Sequence, residues 1–260
     1  LEQIVPCGKC RYCQRGEYWM CGPHDMFGFR NFDGGMAEFM LVPPQARVHR
    51  ISKDVAPQHA AFAEPLACSL HAVERAGITF EDVVVIAGCG PIGLGAIAGA
   101  VAKSPLTVIA LDMDDQKLDL AKACGADLTI NIGREDAVAK VKELTEGYGA
   151  DVYIECTGHP SAVSQGLNLL RKLGTFVEYS VFGSDVTVDW SIISDDKELD
   201  VRGAHLGPHT WPAAIKMIES GKLPLDRICT DQFPLEKYQD ALDLVGDSGG
   251  ASVKVSIVHG

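Results

Sequence analysis

Two stretches of this 260-residue chain carry residue types at spacings that chemistry could use. The first is Cys7-Gly-Lys-Cys10-Arg-Tyr-Cys13 followed by Cys21, a C-x2-C-x2-C-x7-C pattern. Thiolates crowded into one loop repel one another unless a cation sits between them, and tetrahedral zinc takes four. Four cysteines would fill the coordination shell, so a zinc there would be structural rather than catalytic. An iron–sulfur cluster is the competing reading. The first two spacings suit a ferredoxin-like run, but the last does not, and no Cys-Pro pair follows.

The second stretch is Val83-Val84-Val85-Ile86-Ala87 running into Gly88-Cys89-Gly90-Pro91-Ile92-Gly93. An apolar, β-branched run reads as a strand buried on both faces, and the uncharged residues 92–102 read as a helix packed on it. In a Gly-x-Gly-x-x-Gly turn, Gly88 permits the tight turn, Gly90 admits a pyrophosphate to the backbone, and Gly93 lets helix and strand pack closely. Pro91 and Ile92 begin the helix, whose free N–H groups would face the phosphates. A second apolar run, 107–111, ends at Asp112, about 20 residues on, where a carboxylate can accept from both ribose hydroxyls. The same charge would repel a 2′-phosphate, which favours NAD over NADP. Asp112 could instead be a strand-end or helix-capping carboxylate. Asp114 and Asp115 read as caps of the next helix.

From residue 83 onward, strands at 83–87, 107–111, 128–131, 152–155 and 175–179 alternate with helices at 92–102, 115–124, 135–146 and 161–173. That rhythm predicts an α/β fold, a doubly wound parallel Rossmann sheet, with a further strand at 199–204. Cys156-Thr157-Gly158 then falls at the carboxyl edge of the sheet, where such folds bind ligands. Thr157 either reaches a ribose or caps a helix. Before this region, 27–42 and 48–51 read as short strands joined by a glycine turn, a small β-rich unit. In residues 60–76, Pro65 suits the first turn of a helix whose Leu66, Leu70 and Val73 share one face. Glu64 stands among apolar neighbours, either a helix-end charge or a carboxylate held in a cleft. Two helices, 211–220 and 235–245, and a strand, 252–258, close the chain. His24, His49 and His59 read as surface residues.

Composition narrows the function classes. A net charge of −12 without a basic stripe argues against a nucleic-acid partner. No apolar run of about 18 residues suggests a membrane span. Cys68, Cys89, Cys124, Cys156 and Cys229 are scattered singly, as buried thiols in a reducing cytoplasm would be.

Together, the cysteine loop, the glycine turn with Asp112 and Lys117, Glu155-Cys156-Thr157-Gly158, and Ala63-Glu64-Pro65-Leu66-Ala67-Cys68 resemble the zinc-containing medium-chain alcohol and polyol dehydrogenases, sorbitol and threonine dehydrogenase branch. The resemblance implies a GroES-like catalytic domain beside the Rossmann domain. Residues 1–64 and 206–260 would belong to the former and 65–205 to the latter. It implies a structural zinc on Cys7, Cys10, Cys13 and Cys21, and NAD on Gly88, Gly90, Pro91, Ile92, Gly93, Asp112, Lys117 and Thr157. It also implies a catalytic zinc that polarises an alcohol or polyol hydroxyl for hydride transfer, and a dimer or tetramer. Glu64 stands where the family places one ligand of that zinc, or a partner of zinc-bound water. The remaining ligands, a cysteine and a His-Glu pair, precede the structural loop in the family. The chain is therefore expected to be an N-terminally incomplete, inactive piece of the enzyme. The alternative reading is an NAD-binding redox sensor without catalysis.

Overall fold

A computed structural model describes residues 1–247 and 252–259; residues 248–251 and 260 of the expected C-terminal segment lie outside the described residues. In chain order, β1 (Ile4–Val5), α1 (Arg11–Gln14), β2 (Asp25–Met26), α2 (Pro57–Ala60) and α3 (Ala63–Ala76) precede the main sheet. Then come β3 (Val83–Ala87), α4 (Pro91–Ala102), β4 (Thr107–Asp112), α5 (Asp115–Ala123), β5 (Leu128–Asn131), α6 (Ala137–Leu144), β6 (Ala150–Glu155), α7 (Pro160–Leu169), β7 (Leu170–Glu178) and β8 (Asp200–Gly203). The chain closes with α8 (Trp211–Glu219), α9 (Leu225–Ile228), β9 (Asp231–Pro234), α10 (Tyr238–Asp247) and β10 (Val255–Val258).

Strands β3 to β8 form one parallel sheet in the order β5-β4-β3-β6-β7-β8. The order reverses between β3 and β6, and the crevice outside the strand ends at such a switch point is where open α/β sheets bind ligands. Val84, Val85 and Ile86 in the central strand are fully buried, with Val84 and Ile86 facing one apolar layer and Val85 the other. The first layer includes α3, α4 and α8, so Trp211, Ala214 and Ile215 pack against Leu66, Leu70 and Val73.

Several expectations need correction. The helix read to residue 173 ends at Leu169, and Leu170 already pairs with Ala150 in β7. The stretches 27–42 and 48–51 form no strands. Phe27 makes one isolated bridge to Phe32, and the rest meets no ladder partner among the described residues. A strand needs a neighbour for its N–H and C=O groups, which an apolar run beside a glycine turn does not by itself supply. Phe39 and Leu41 are accordingly exposed. His49 is not a surface residue: it stacks on Trp211 at 5.3 Å and bonds Glu2 Oε1 at 2.8 Å. His59 is likewise half-buried, with Nε2 at 3.1 Å from Asp226.

Candidate functional site

The four cysteines are gathered by a tight loop. Cys10 begins α1, Cys13 lies within it, and a 3-10 turn at Tyr18–Met20 delivers Cys21. Their four Sγ atoms lie within 4.8 Å of one another, and Cys10 and Cys13 Sγ are 3.6 Å apart. Zinc–sulfur bonds of about 2.3 Å in a tetrahedron put sulfurs about 3.8 Å apart, so the donor set fits that ion. The backbone N–H groups of Lys9 and Cys10 draw the Cys7 thiol down to about 6, whereas burial pushes Cys21 up to about 12. Among the described residues this is the sole group of three or more metal-ligand atoms.

The glycine turn is shaped by what surrounds it. Gly88 has φ +91, and a Cβ there would stand 2.9 Å from the carbonyl oxygen of Cys156. A Cβ on Gly93 would overlap the Gly88 carbonyl. At Gly90 a Cβ would meet nothing within 4 Å. Protein therefore explains Gly88 and Gly93, while the space beside Gly90 is open. Gly90 is the N-cap of α4, and Pro91 opens the helix without wasting a donor.

Asp112 ends β4 beside this turn. Its Oδ2 accepts from Cys89 N at 2.7 Å, and Oδ1 accepts from Met113 N at 2.7 Å and Asp114 N at 3.0 Å. A carboxylate offers about four acceptor sites, so a hydroxyl can still be taken. Asp114 is the N-cap of α5, accepting from Gln116 N, while Asp115 pairs with Arg134. Asp112, Lys117, Gly88, Gly90 and Thr157 line one cavity of about 410 Å³, with Leu111, Met113, Ile132 and Ala162 supplying apolar walls. Such a lining suits a flat base above a ribose.

Thr157 has its hydroxyl proton and one lone pair engaged within its own loop. Oγ1 donates to Glu155 Oε1 and accepts from His159 N at 2.9 Å, while His159 itself caps α7. Thr157 holds the loop that walls the cavity, and its second lone pair can still accept from a ribose hydroxyl.

A second cleft of about 500 Å³ shares Cys156 and Thr157 with the first. Glu64, in the first turn of α3, lines it with Gln3, Cys68, Ile92, Tyr179, Ser180 and His205. Glu64 Oε1 accepts from Gln3 Nε2 and from Cys68 Sγ, the latter at 3.1 Å; Oε2 receives no hydrogen bond among the described residues. Burial and the Glu64 charge push the Cys68 thiol up, so it stays a donor. A catalytic zinc takes three protein ligands. The described cleft is lined by four residues of ligand type, Glu64, Cys68, Cys156 and His205, but no three of their donor atoms are gathered as those of the cysteine loop are. The sequence reading missed Gln3, Tyr179, Ser180 and His205. Tyr179 and Ser180 follow β7 at the carboxyl edge, a position that could have flagged them; nothing local marks Gln3 or His205.

The family profile described as zinc-binding dehydrogenase matches residues 91–220, and that for the alcohol dehydrogenase GroES-like domain matches residues 1–53. The chain is 71% identical over 258 residues to erythritol/L-threitol dehydrogenase of Mycolicibacterium smegmatis, covering 99% of this chain and 71% of that protein. It is 34% identical to sorbitol dehydrogenase of Halalkalibacterium halodurans, covering 96% and 72%. A solved structure described as a zinc-binding dehydrogenase of Sinorhizobium meliloti bound to NADP superposes with a TM-score of 0.87 at 31% identity, covering 99% and 74%. On these grounds the chain belongs to the zinc-binding medium-chain dehydrogenase family.

Proposed function

We propose that the protein oxidises a secondary hydroxyl of a small polyol to the ketone and passes the hydride to NAD. The observation that carries this reading is that the two cavities share the wall at Cys156 and Thr157. A dinucleotide with its adenosine end at Asp112 crosses the open space beside Gly90 and reaches the shared wall at Cys156 and Thr157. Its nicotinamide then stands beside Glu64. The N–H groups at the start of α4 hold the pyrophosphate, and Asp112 accepts from the ribose while disfavouring a 2′-phosphate. Lys117 offers a donor on the same wall.

A substrate in the second cleft meets acceptors and donors on several sides, in Glu64, Gln3, Tyr179, Ser180 and His205. That arrangement suits a chain of hydroxyls, as the erythritol/L-threitol and sorbitol dehydrogenase relatives support. Glu64 orients the cleft through its free oxygen, with Gln3 and Cys68 fixing the other. Cys7, Cys10, Cys13 and Cys21 hold a zinc that closes a loop with little apolar core of its own. Segments 1–64 and 206–260 form the catalytic side and 65–205 the cofactor side. The first two touch directly, where Ser52 N donates to Glu219 and His209 N to Tyr18 Oη. No helix is long and apolar enough to cross a membrane among the described residues, and the nine free thiols suit a reducing cytoplasm. A dimer or tetramer is the assembly expected from the family.

The test is NADH formation by the full-length protein with erythritol, L-threitol, sorbitol and L-threonine, with NADP as the alternative cofactor. Turnover of at least one polyol with a preference for NAD is the expected result; turnover of threonine alone, or of no alcohol, refutes the reading.

A further inference from the structure

Glu155 and Glu178 are register partners on β6 and β7, on the same sheet face as Tyr153 and Phe176. Adjacent strands lie about 4.8 Å apart, so the two carboxylates are side by side at the carboxyl edge. Glu155 is fully buried and serves as an acceptor hub. Thr157 N donates to its Oε1 at 2.7 Å, Thr157 Oγ1 donates to the same atom, and Gly158 N donates to both oxygens at 3.2 and 3.3 Å. This one side chain thus shapes the loop that walls both cavities. Glu178 is half-buried and accepts from Ser180 N at 2.7 Å. Like charges so placed repel in a medium poorer than water.

Among the described residues no cation pairs with either carboxylate. The titratable neighbours along this strand are Tyr153 on β6 and Cys156 just after it, both held neutral by burial. On β8 the register partner of Glu178 is Gly203, which brings no side chain. Helix α7, packed on this face, carries only His159 at its cap, engaged with Ser161. The segment 185–197, which also packs here, carries Asp185, Asp189, Asp195 and Asp196. Its Lys197 is held by the carbonyls of Leu167, Asn168 and Leu170.

We propose that Glu178 is a positioning residue: acting through Glu155, it sets the loop Cys156–Gly158 against which the cofactor lies and makes cofactor binding depend on pH. Burial, with Glu155 adding to it, pushes the Glu178 carboxyl up to about 7. Below that pH Glu178 is neutral and Glu155 is free to organise the loop. Above it, the second charge strains the hub. The inference rests on the cofactor reading above.

The experiment is an NADH fluorescence titration from pH 6 to 8.5 on the full-length protein, wild type and Glu178→Gln, with melting temperatures measured alongside. Wild-type affinity is expected to fall about five-fold across that range, equivalent to about 1 kcal/mol, and Glu178→Gln to flatten the fall. Glu178→Asp, which keeps a titrating group, is expected to retain it. Folded Glu178 holds a proton that the unfolded chain releases between about pH 4.5 and 7, so Glu178→Gln should also raise the melting temperature at pH 8 more than at pH 5. An identical pH profile in wild type and Glu178→Gln overturns the inference while leaving the cofactor reading intact. Failure of the wild type to bind NADH at any pH overturns both.

Discussion

Gly90 and Gly93 belong to one turn, yet replacing each by alanine should fail in opposite ways. Gly90 has φ −75 and ψ −174, an extended geometry open to alanine, and its Cβ would meet nothing within 4 Å. Alanine is a poorer N-cap than glycine, a loss of several tenths of a kcal/mol or more. The stiffer unfolded chain returns about 0.4–1 kcal/mol. The net effect on stability is within about 1 kcal/mol, or about 2–4 °C in a domain of this size. Cofactor binding is another matter. If the methyl group keeps the pyrophosphate from even one backbone N–H, the lost charge-assisted bond is worth about 1.5–3 kcal/mol. The dissociation constant for NADH then rises about 10- to 150-fold. At Gly93 the methyl group overlaps the Gly88 carbonyl, and Gly88 cannot retreat because the Cys156 carbonyl stands behind it and its N–H is bonded to Leu111 O at 2.8 Å. Strand and helix must separate, at a cost of about 3 kcal/mol and a fall of about 6–12 °C. Calorimetry and NADH fluorescence titration on both variants separate the two effects. Wild-type NADH affinity in a stable Gly90→Ala protein would refute the placement of the phosphates.

Other expectations follow from the same geometry. Asp112→Asn removes the charge that opposes a 2′-phosphate while keeping an acceptor, so the ratio of NADP to NAD efficiency should rise at least about ten-fold by steady-state kinetics. Cys10→Ser should lose one zinc per chain by elemental analysis and lower the melting temperature by on the order of 10 °C, because structural zinc contributes folding energy directly. His71 is held neutral by burial, with its pKa lowered to about 4. The folded chain therefore refuses a proton that the unfolded chain accepts between about 6.5 and 4, and stability should be lost as pH falls through that window. His71→Gln should weaken that acid sensitivity in melting curves recorded from pH 7 to 4.

The cofactor half was legible because its signals are local. Three consecutive valines, a glycine turn and a strand-ending aspartate follow one another in sequence, and the structure places β3, α4 and β4 within a residue of the expected bounds. The cysteine loop was legible for the same reason: four thiols within one short loop need no long-range information to meet. What remained hidden depends on distant partners. Gln3 reaches Glu64 across 61 residues, and His205 enters the cleft only because the sheet places the end of β8 beside β7. The apolar run around Phe39 was misleading, since strand-like residues beside a glycine turn say nothing of whether an edge exists to receive them. The early end of α7 was equally invisible: Leu170 leaves the helix because its backbone pairs with Ala150, while Lys197 takes its carbonyl.

Helix α3 joins the two halves of the site more tightly than a boundary between domains would suggest. Glu64 sits in its first turn, and one turn later Ser69 Oγ lies 2.8 Å from Pro65 O and 2.7 Å from the carbonyl of Ile92, the second residue of α4 beside the glycine turn. The carboxylate lining the second cleft and the amides at the start of α4 are thus mounted on one pair of crossing helices. Gln3, by contrast, belongs to the segment before α1. If the segments slide or close on one another, the gap between Gln3 and Glu64 changes, but the span from Glu64 to Gly90 does not. In the proposed reaction, a hydride would cross a gap anchored on the cofactor side by this helix crossing.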